Sequence, residues 1–349
     1  MRKKIIGGIL ALLVILLLII YFLFFTGATN FSEKSKLLYI KSGEATYSNV
    51  LKTLVDSQII SKTGTFDFIA KQLDVPNRIK PGRFEIKKGM SLVSIARMFR
   101  NNNQLPVKLV IIKLRTKENL SAFLGKRFEC DSASIQQFIN NNDSLKDAGL
   151  DTNTIMTSIF PNTYELIWAQ TPGNLLRRLF AEHKRFWTEE KTALAQSKGL
   201  TPTTAYILAS IVEEESNAKD EKDTIACVYM NRFKKGMRLQ ADPTVKFALK
   251  DFTLKRIYEK HLLVESPYNT YRNTGFPPGP ICTPSLETIN AVLQMPSTNY
   301  LYFVAKSDFS GRHVFSATYE EHLIKAKEFQ QAQDEQQKIK AAREAKEKN

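Results

Sequence analysis

The stretch Thr201-Pro202-Thr203-Thr204-Ala205-Tyr206-Ile207-Leu208-Ala209-Ser210-Ile211-Val212-Glu213-Glu214-Glu215-Ser216 decides how this chain is read. It predicts a helix from Pro202 to Ser216. Thr201 offers a hydroxyl cap, and Pro202 fits the first helical position, where an N–H would have no partner. With about 100° per residue and Ile207 at zero, Ile207, Leu208, Ile211 and Val212 make an apolar stripe centred near ~70°. On the same wheel Glu215 falls at ~80°, Glu214 at ~340° and Glu213 at ~240°. Glu213 therefore reads as a solvent-facing charge and Glu214 as an edge residue. Glu215 continues the apolar face at the helix end. A carboxylate placed there must be paired, protonated or opening into a cleft. Burial raises an acid's pKa, and a general acid at neutral pH wants a value of roughly 6–7. Glu215 is thus the catalytic candidate. If the helix instead stops at Val212, the angle carries no information.

The flanking segments supply walls for a site. Asp220–Lys235 reads as a second helix, with Ile225, Val228, Tyr229 and Arg232 on one side and Gly236 as its stop. In Met237-Arg238-Leu239-Gln240-Ala241-Asp242-Pro243-Thr244-Val245, Asp242 before Pro243 has the form of a helix cap, and Gln240 just outside it suits sugar hydroxyls. Ser266-Pro267-Tyr268-Asn269-Thr270-Tyr271 and Gly275-Phe276-Pro277-Pro278-Gly279-Pro280 read as rigid loops with aromatic and amide side chains suited to sugars. Tyr300–Lys306 and His313–Ala317 read as a hairpin, with His313 structural. Thr318 and Glu321 form a capping box for a last helix.

Upstream, Val107–Lys113 predicts a strand, and 117–125, 133–140 and 173–198 predict helices. Ile159-Phe160-Pro161-Asn162-Thr163-Tyr164-Glu165-Leu166 reads as an apolar–aromatic loop. Residues 31–38 read as a short polar stalk. Short strands and helices then alternate from Tyr39 to Phe99, ending in a turn at Pro81-Gly82, a strand, a turn at Gly89 and a helix begun by Ser91. This pattern resembles a LysM-like module, a small sugar-binding fold; a plain α+β spacer is the alternative. Ile5–Phe25 is an uncharged run that as a helix spans about 30 Å, the thickness of a bilayer core. Arg2, Lys3 and Lys4 precede it, so the rest of the chain is expected outside the cytoplasm. A cleavable signal peptide has a shorter apolar region.

Composition narrows the function. The 349 residues are 43% apolar and 24% charged, which describes a folded protein, and Lys+Arg 50 against Asp+Glu 35 gives +15. Such an excess favours an anionic partner. With an export segment ahead of it, that partner is lipid or cell-wall polymer rather than nucleic acid, and no basic run interleaved with aromatics marks a nucleic-acid platform. Cys130, Cys227 and Cys282 are odd in number and far apart, which excludes a disulfide framework and a Cys-rich zinc site. The four histidines lack metal-ligand spacing. No metal or cofactor is expected.

The motifs from Ala209 to Ser216, Asn231-Arg232-Phe233, Met237 to Thr244, Tyr268 to Tyr271, Gly275 to Ile281 and Tyr300 to Ala305 resemble, in order and spacing, the YceG-like endolytic murein transglycosylases. The resemblance runs from about residue 40 to 325. It implies cleavage between N-acetylmuramic acid and N-acetylglucosamine within peptidoglycan glycan strands, leaving 1,6-anhydro-N-acetylmuramic acid ends. The family's catalytic glutamate maps onto Glu215. Gln240, Asp242, Thr244, Asn269, Tyr271 and Tyr164 are the implied substrate contacts. Asn162 stands where the family commonly has Asp. The resemblance also implies coupling to wall-synthesising enzymes. The expected architecture is α+β: cytoplasmic stub and transmembrane anchor over 1–30, LysM-like subdomain over 31–105, mixed α/β catalytic domain over 106–325 and a charged helix or tail over 326–349. The expected location is the inner membrane, single-pass. Two other functions fit the sequence: an inactive wall-binding scaffold, and a hydrolase pairing Glu215 with Glu214 or Asp242.

Overall fold

Thr46, Ser91, Thr188, Thr201 and Ser285 each open a helix by accepting a backbone N–H three residues on. The computed structural model describes residues 2–347; the side chains of residues 2–5, 19, 20, 22–25 and 340–347 lie outside that description. The chain divides into two units: residues up to Leu109 with Gly125–Asp131 and Tyr164–Thr171, and Val110–Leu124 with Ser132–Thr163 and everything from Pro172 onward.

In the first unit α1 (Arg2–Phe25) is a helix of 24 residues, and its side chains from Ile6 to Leu18 are exposed. Among the described residues no helix is long and apolar enough to cross a membrane. The expected span Ile5–Phe25 and its flanking Arg2, Lys3 and Lys4 lie partly outside the described side chains. β1 (Ser35–Ile40) is followed by α2 (Tyr47–Asp56), α3 (Thr63–Gln72) and β2 (Gly82–Lys87), which pairs back antiparallel with Leu38 opposite Phe84. Alternation sends Leu38, Ile40, Phe84 and Ile86 inward. Gly89, at φ +82°, turns the chain into α4 (Leu92–Arg100), whose Phe99 meets Phe84 edge-on at 5.1 Å. Phe31 joins this core, so the stretch read as a polar stalk is packed into the unit.

β3 (Val107–Ile111) and β4 (Asn162–Leu166) straddle the division, and β4 replaces the expected loop after Phe160. The second unit contains α5 (Lys117–Gly125, reaching the division), α6 (Ser132–Ile139), a single turn α7 (Asn142–Leu145), α8 (Pro172–Phe186) and α9 (Glu189–Ser197). The run expected as one helix over 173–198 breaks because Thr188 leaves the helical conformation to cap α9. Next come α10 (Pro202–Glu215), α11 (Lys222–Lys234), α12 (Asp242–Leu249), a turn α13 (Glu259–Leu262) and α14 (Leu286–Leu293). β5 (Tyr302–Ala305) and β6 (His313–Ser316) form the expected antiparallel hairpin. Thr318 and Glu321 cap α15, which runs unbroken from Tyr319 to Glu347; the expected tail beyond residue 339 lies outside the described side chains.

α10 is the axis of this unit. It runs through Glu215, with Thr201 and Thr204 forming a reciprocal cap at its start. Every residue from Ala205 to Val212 is buried, so the helix has no solvent face along that length. α11 and α14 pack on it, and the buried Tyr206 hydroxyl donates to the Ile159 carbonyl at 2.5 Å. The segment after the proline-rich loop runs alongside: Ile281 N–H donates to Ser210 Oγ at 3.0 Å. Thr283 and Leu114 exchange two bonds of 2.8 and 2.9 Å. Leu114 is thereby pinned close to α10, with Lys113 and Arg115 on either side of it.

Candidate active site

Three consecutive glutamates close α10, and each meets different chemistry. Glu213 is the correction to the wheel. Read as solvent-facing, it is 13% exposed and ion-paired to Lys222, itself 8% exposed, at 2.9 Å. Ser285 and Thr288 hydroxyls donate to the same oxygen, and Lys222 also donates to Thr288 at 2.8 Å. The reason is that α14 covers the side of the helix that a one-sided stripe leaves to water. Burial alone would raise the Glu213 pKa; bonds from Thr288 and Lys222 outweigh it and hold the pKa below the ordinary value. Glu214 takes Lys113 at 3.0 Å and Arg115 at 3.0 Å. There too burial pushes upward, and Arg115 and Lys113 push further down. Both acids are therefore held as carboxylates.

Glu215 has no ion pair among the described residues. Its Oε1 accepts the Tyr229 hydroxyl at 2.5 Å. Tyr229 comes from α11, is 1% exposed and packs edge-on against Phe303 at 5.8 Å. The Glu215 carboxyl is closely surrounded by protein while the residue keeps part of its surface open. Those two facts fit together: dense packing removes most hydration, and the remaining opening gives access. Burial pushes its pKa up to about 7; the Tyr229 bond opposes this, the Asp242 charge adds to it, and Lys246 and Arg232 pull back. Burial and the neighbouring Glu215 in turn push the Tyr229 hydroxyl well above its ordinary pKa, so it stays a donor. At neutral pH this carboxyl is poised to give or take a proton. The wheel chose it by angle, but Ala205–Val212 are buried on every side, so angle alone does not distinguish the acids. What sets Glu215 apart is a tyrosine where its neighbours have cations.

The surrounding framework comes from Arg232 and Thr270. Arg232, 8% exposed, donates to the carbonyls of Leu239 at 2.7 Å and Leu301 at 2.6 Å, tying the loop before α12 to the residue that leads into β5. Thr270 receives Ala241 N–H at 2.9 Å, and its carbonyl receives Gln240 N–H at 3.2 Å. Ser216 donates to Glu221 at 2.6 Å, and Glu221 also receives His313 N–H at 2.9 Å. His313 thus braces the end of α10, the structural part read for it.

The expected substrate contacts divide. Asp242 is exposed and accepts the Tyr271 hydroxyl at 2.6 Å; it opens α12 without capping it, since Ala241 occupies the cap position and makes no side-chain bond. Gln240 is exposed and sits at φ +54°, in the left-handed region, between the buried Leu239 and Ala241. Asp242 and Tyr271 share the electrostatic surroundings of Glu215 and Tyr229. Thr244 and Asn269 are both fully buried. Thr244 bonds Ala241 and Thr270, and the Asn269 amide donates to the Leu262 and Val264 carbonyls at 2.9 and 2.8 Å. They build the walls and present no surface. Tyr164 is buried in β4 and falls in the other unit. Asn162 is exposed at the start of β4, its side chain bonded to Thr163 N–H. Among the described residues no cluster of His, Cys, Asp or Glu is arranged for a metal ion.

From the sequence Tyr229 was placed only on a helix face walling the site, and Lys113 and Arg115 were given no part in it. Tyr229 left a signal: a tyrosine on the buried face of a helix needs a partner for its hydroxyl. Lys113 and Arg115 left none, because they reach α10 only through the Leu114–Thr283 bonds.

A curated endolytic murein transglycosylase of Bacillus subtilis is 33% identical over 244 residues, 70% of this chain and 63% of that protein. One from Streptococcus pneumoniae is 25% identical over 320 residues, 81% of this chain and 57% of that protein. The chain thus spans about three fifths of the length of these relatives. The crystal structure of a YceG-like protein from Listeria monocytogenes superimposes with a TM-score of 0.55 at 25% identity, covering 83% of this chain and 98% of the other. The profile of the YceG-like family matches residues 38–328, from within β1 through α10 with its three glutamates and past the hairpin, and the chain belongs to that family.

Proposed function

We propose that the chain is a membrane-anchored endolytic peptidoglycan transglycosylase that cleaves the bond between N-acetylmuramic acid and N-acetylglucosamine and leaves 1,6-anhydro ends. The observation that carries this reading is the protonatable carboxyl of Glu215, with one oxygen bonded to Tyr229 and no cation paired to it among the described residues. Glu215 gives its proton to the glycosidic oxygen as the bond from the anomeric carbon breaks. The 6-hydroxyl oxygen of the same muramoyl residue then bonds to that carbon, and its proton passes to the Glu215 carboxylate. The acid is regenerated and no water is consumed. One carboxyl suffices because the nucleophile is tethered to the reacting sugar, so positioning replaces activation of a free water. Gln240, Asp242 and Tyr271 line the accessible side. The chain is anchored in the inner membrane by Ile5–Phe25, with the catalytic unit outside the cytoplasm. The β-α-α-β order of the first unit supports a LysM-like module between anchor and enzyme.

The test is mass spectrometry of products from purified glycan strands with the wild type and Glu215→Gln. Anhydro-ended fragments from the wild type alone support the reading. Products one water heavier identify a hydrolase, and fragments that persist in the variant exclude Glu215 as the acid.

A further inference from the structure

A second feature is built on Glu214, the residue before Glu215. Arg115, Glu214, Pro243, Lys246, Phe252 and Ile281 line a partly open cavity of about 150 Å³, room for several waters. Its lining is predominantly polar, and its charges do not balance. Glu214 is the one carboxylate in the wall, and it already carries Lys113 and Arg115 at 3.0 Å each. Arg115 spends a single terminal nitrogen on it, and its guanidinium stacks over the Phe252 ring at 5.0 Å. Its other N–H groups make no bond among the described residues. Lys246, from the second turn of α12, has no carboxylate within ion-pair distance among the described residues. Asp242, one turn earlier, uses an oxygen on Tyr271. Two cations therefore face a small cavity with one acid already satisfied. The Lys246 charge is felt at Glu215, and Glu214 in the cavity wall is the residue next to it in the chain.

We propose that this cavity is a carboxylate-binding subsite, in which Lys246 and the unused edge of Arg115 hold an acidic substituent of the glycan during cleavage. A planar carboxylate matches the fork of a guanidinium, and the stacking on Phe252 keeps that fork oriented. The inference rests on the transglycosylase reading and deepens it: the site selects the muramoyl residue by its acid group. Two sources supply that chemistry. One is the lactyl carboxyl, free where the peptide stem is absent; the other is a carboxylate of the stem itself.

The test uses the full-length chain and three substrates: peptide-free strands, the same strands with the lactyl carboxyl converted to its amide, and peptide-bearing strands. Lys246→Gln and Lys246→Arg are compared with the wild type, and products are identified by mass. The expected result is that amidation or Lys246→Gln raises KM about tenfold, the scale of one hydrogen bond to a charged group, while Lys246→Arg stays near the wild type. Combining amidation with Lys246→Gln adds little further. A Lys246 effect on peptide-free strands names the lactyl carboxyl as the ligand; an effect confined to peptide-bearing strands names the stem. Equal KM for the wild type on all three substrates overturns the subsite, and this arm needs no substitution. Absence of anhydro products from every substrate is a different failure, that of the transglycosylase reading.

Discussion

Glu213 and Glu214 occupy one region at the end of α10, and Glu215 another, although the three are consecutive. In the first region a buried carboxylate meets Lys222, Lys113 and Arg115 and stays ionised. In the second a similarly crowded carboxyl meets Tyr229 and is pushed up to about 7. The lesson is that burial alone does not make an acid catalytic. Burial raises the pKa in all three, and the partner decides the outcome. A cation converts the buried acid into a structural tie. A neutral hydroxyl leaves it able to exchange a proton.

The comparison can be broken most sharply at Glu215. Glu215→Gln is expected to lower formation of anhydro-ended glycan by at least about a hundredfold, the contribution of a positioned acid–base group, with the circular dichroism spectrum unchanged. The opposite expectation holds for the tie. Lys222→Met leaves Glu213 buried beside Thr288 with Lys113 3.9 Å away, and should destabilise the fold by about 3–5 kcal/mol in urea titrations. Adding Glu213→Gln should return much of that loss. If Lys222→Met left stability intact, Glu213 would not be the structural half of the pair.

The pH dependence of stability sharpens the contrast. Glu215 has a folded-state pKa near 7 and an ordinary value of 4.5. The stabilisation of its neutral form is complete below pH 4.5 and is lost as the pH rises through 7. Glu215→Gln, which cannot ionise, should therefore be more stable than the wild type at pH 8 by about 3 kcal/mol, and equal to it near pH 4. Glu213→Gln should show the reverse, because its lowered pKa gives stability above the ordinary value that is lost on acidification. The smallest effect is expected at Tyr229. Its hydroxyl lowers the Glu215 pKa, so Tyr229→Phe should move the alkaline limb of the activity profile upward and lower stability by about 1 kcal/mol. A limb that stayed in place would show that Tyr229 only packs.

The proline-rich loop offers one steric test of the frame around the three acids. A side-chain carbon at Gly279 would lie 2.2 Å from the Asn153 carbonyl oxygen and 2.8 Å from the Tyr268 hydroxyl. Gly279→Ala should lower the thermal midpoint. An unchanged midpoint would mean that the proline-rich loop adapts freely and does not hold Ile281 and Thr283 against α10.

Much of the local structure was legible in the residues. Thr201-Pro202 marked the start of α10, Ser91 that of α4, Thr318 and Glu321 that of α15, and the hairpin fell where its strands were read. These signals are short-range: a hydroxyl reaching an N–H three residues on needs no distant partner. The misread elements share a different cause. Thr188 broke a helix that the apolar pattern carried through, and Asn162–Leu166 became a strand because an extended partner was available. Glu213 was assigned to solvent because a single helix cannot reveal that a second helix covers its far side.

By itself the sequence determined that α10 forms, that three acids end it, and that its motifs are those of the YceG-like family. Periodicity and capping act within a few residues, and family motifs are written in order along the chain. Only the tertiary structure decided which acid can exchange a proton. That choice depends on Lys222, Lys113, Arg115 and Tyr229, which approach from α11 and from the segment before α5, and charge interactions follow distance in space, not separation along the chain.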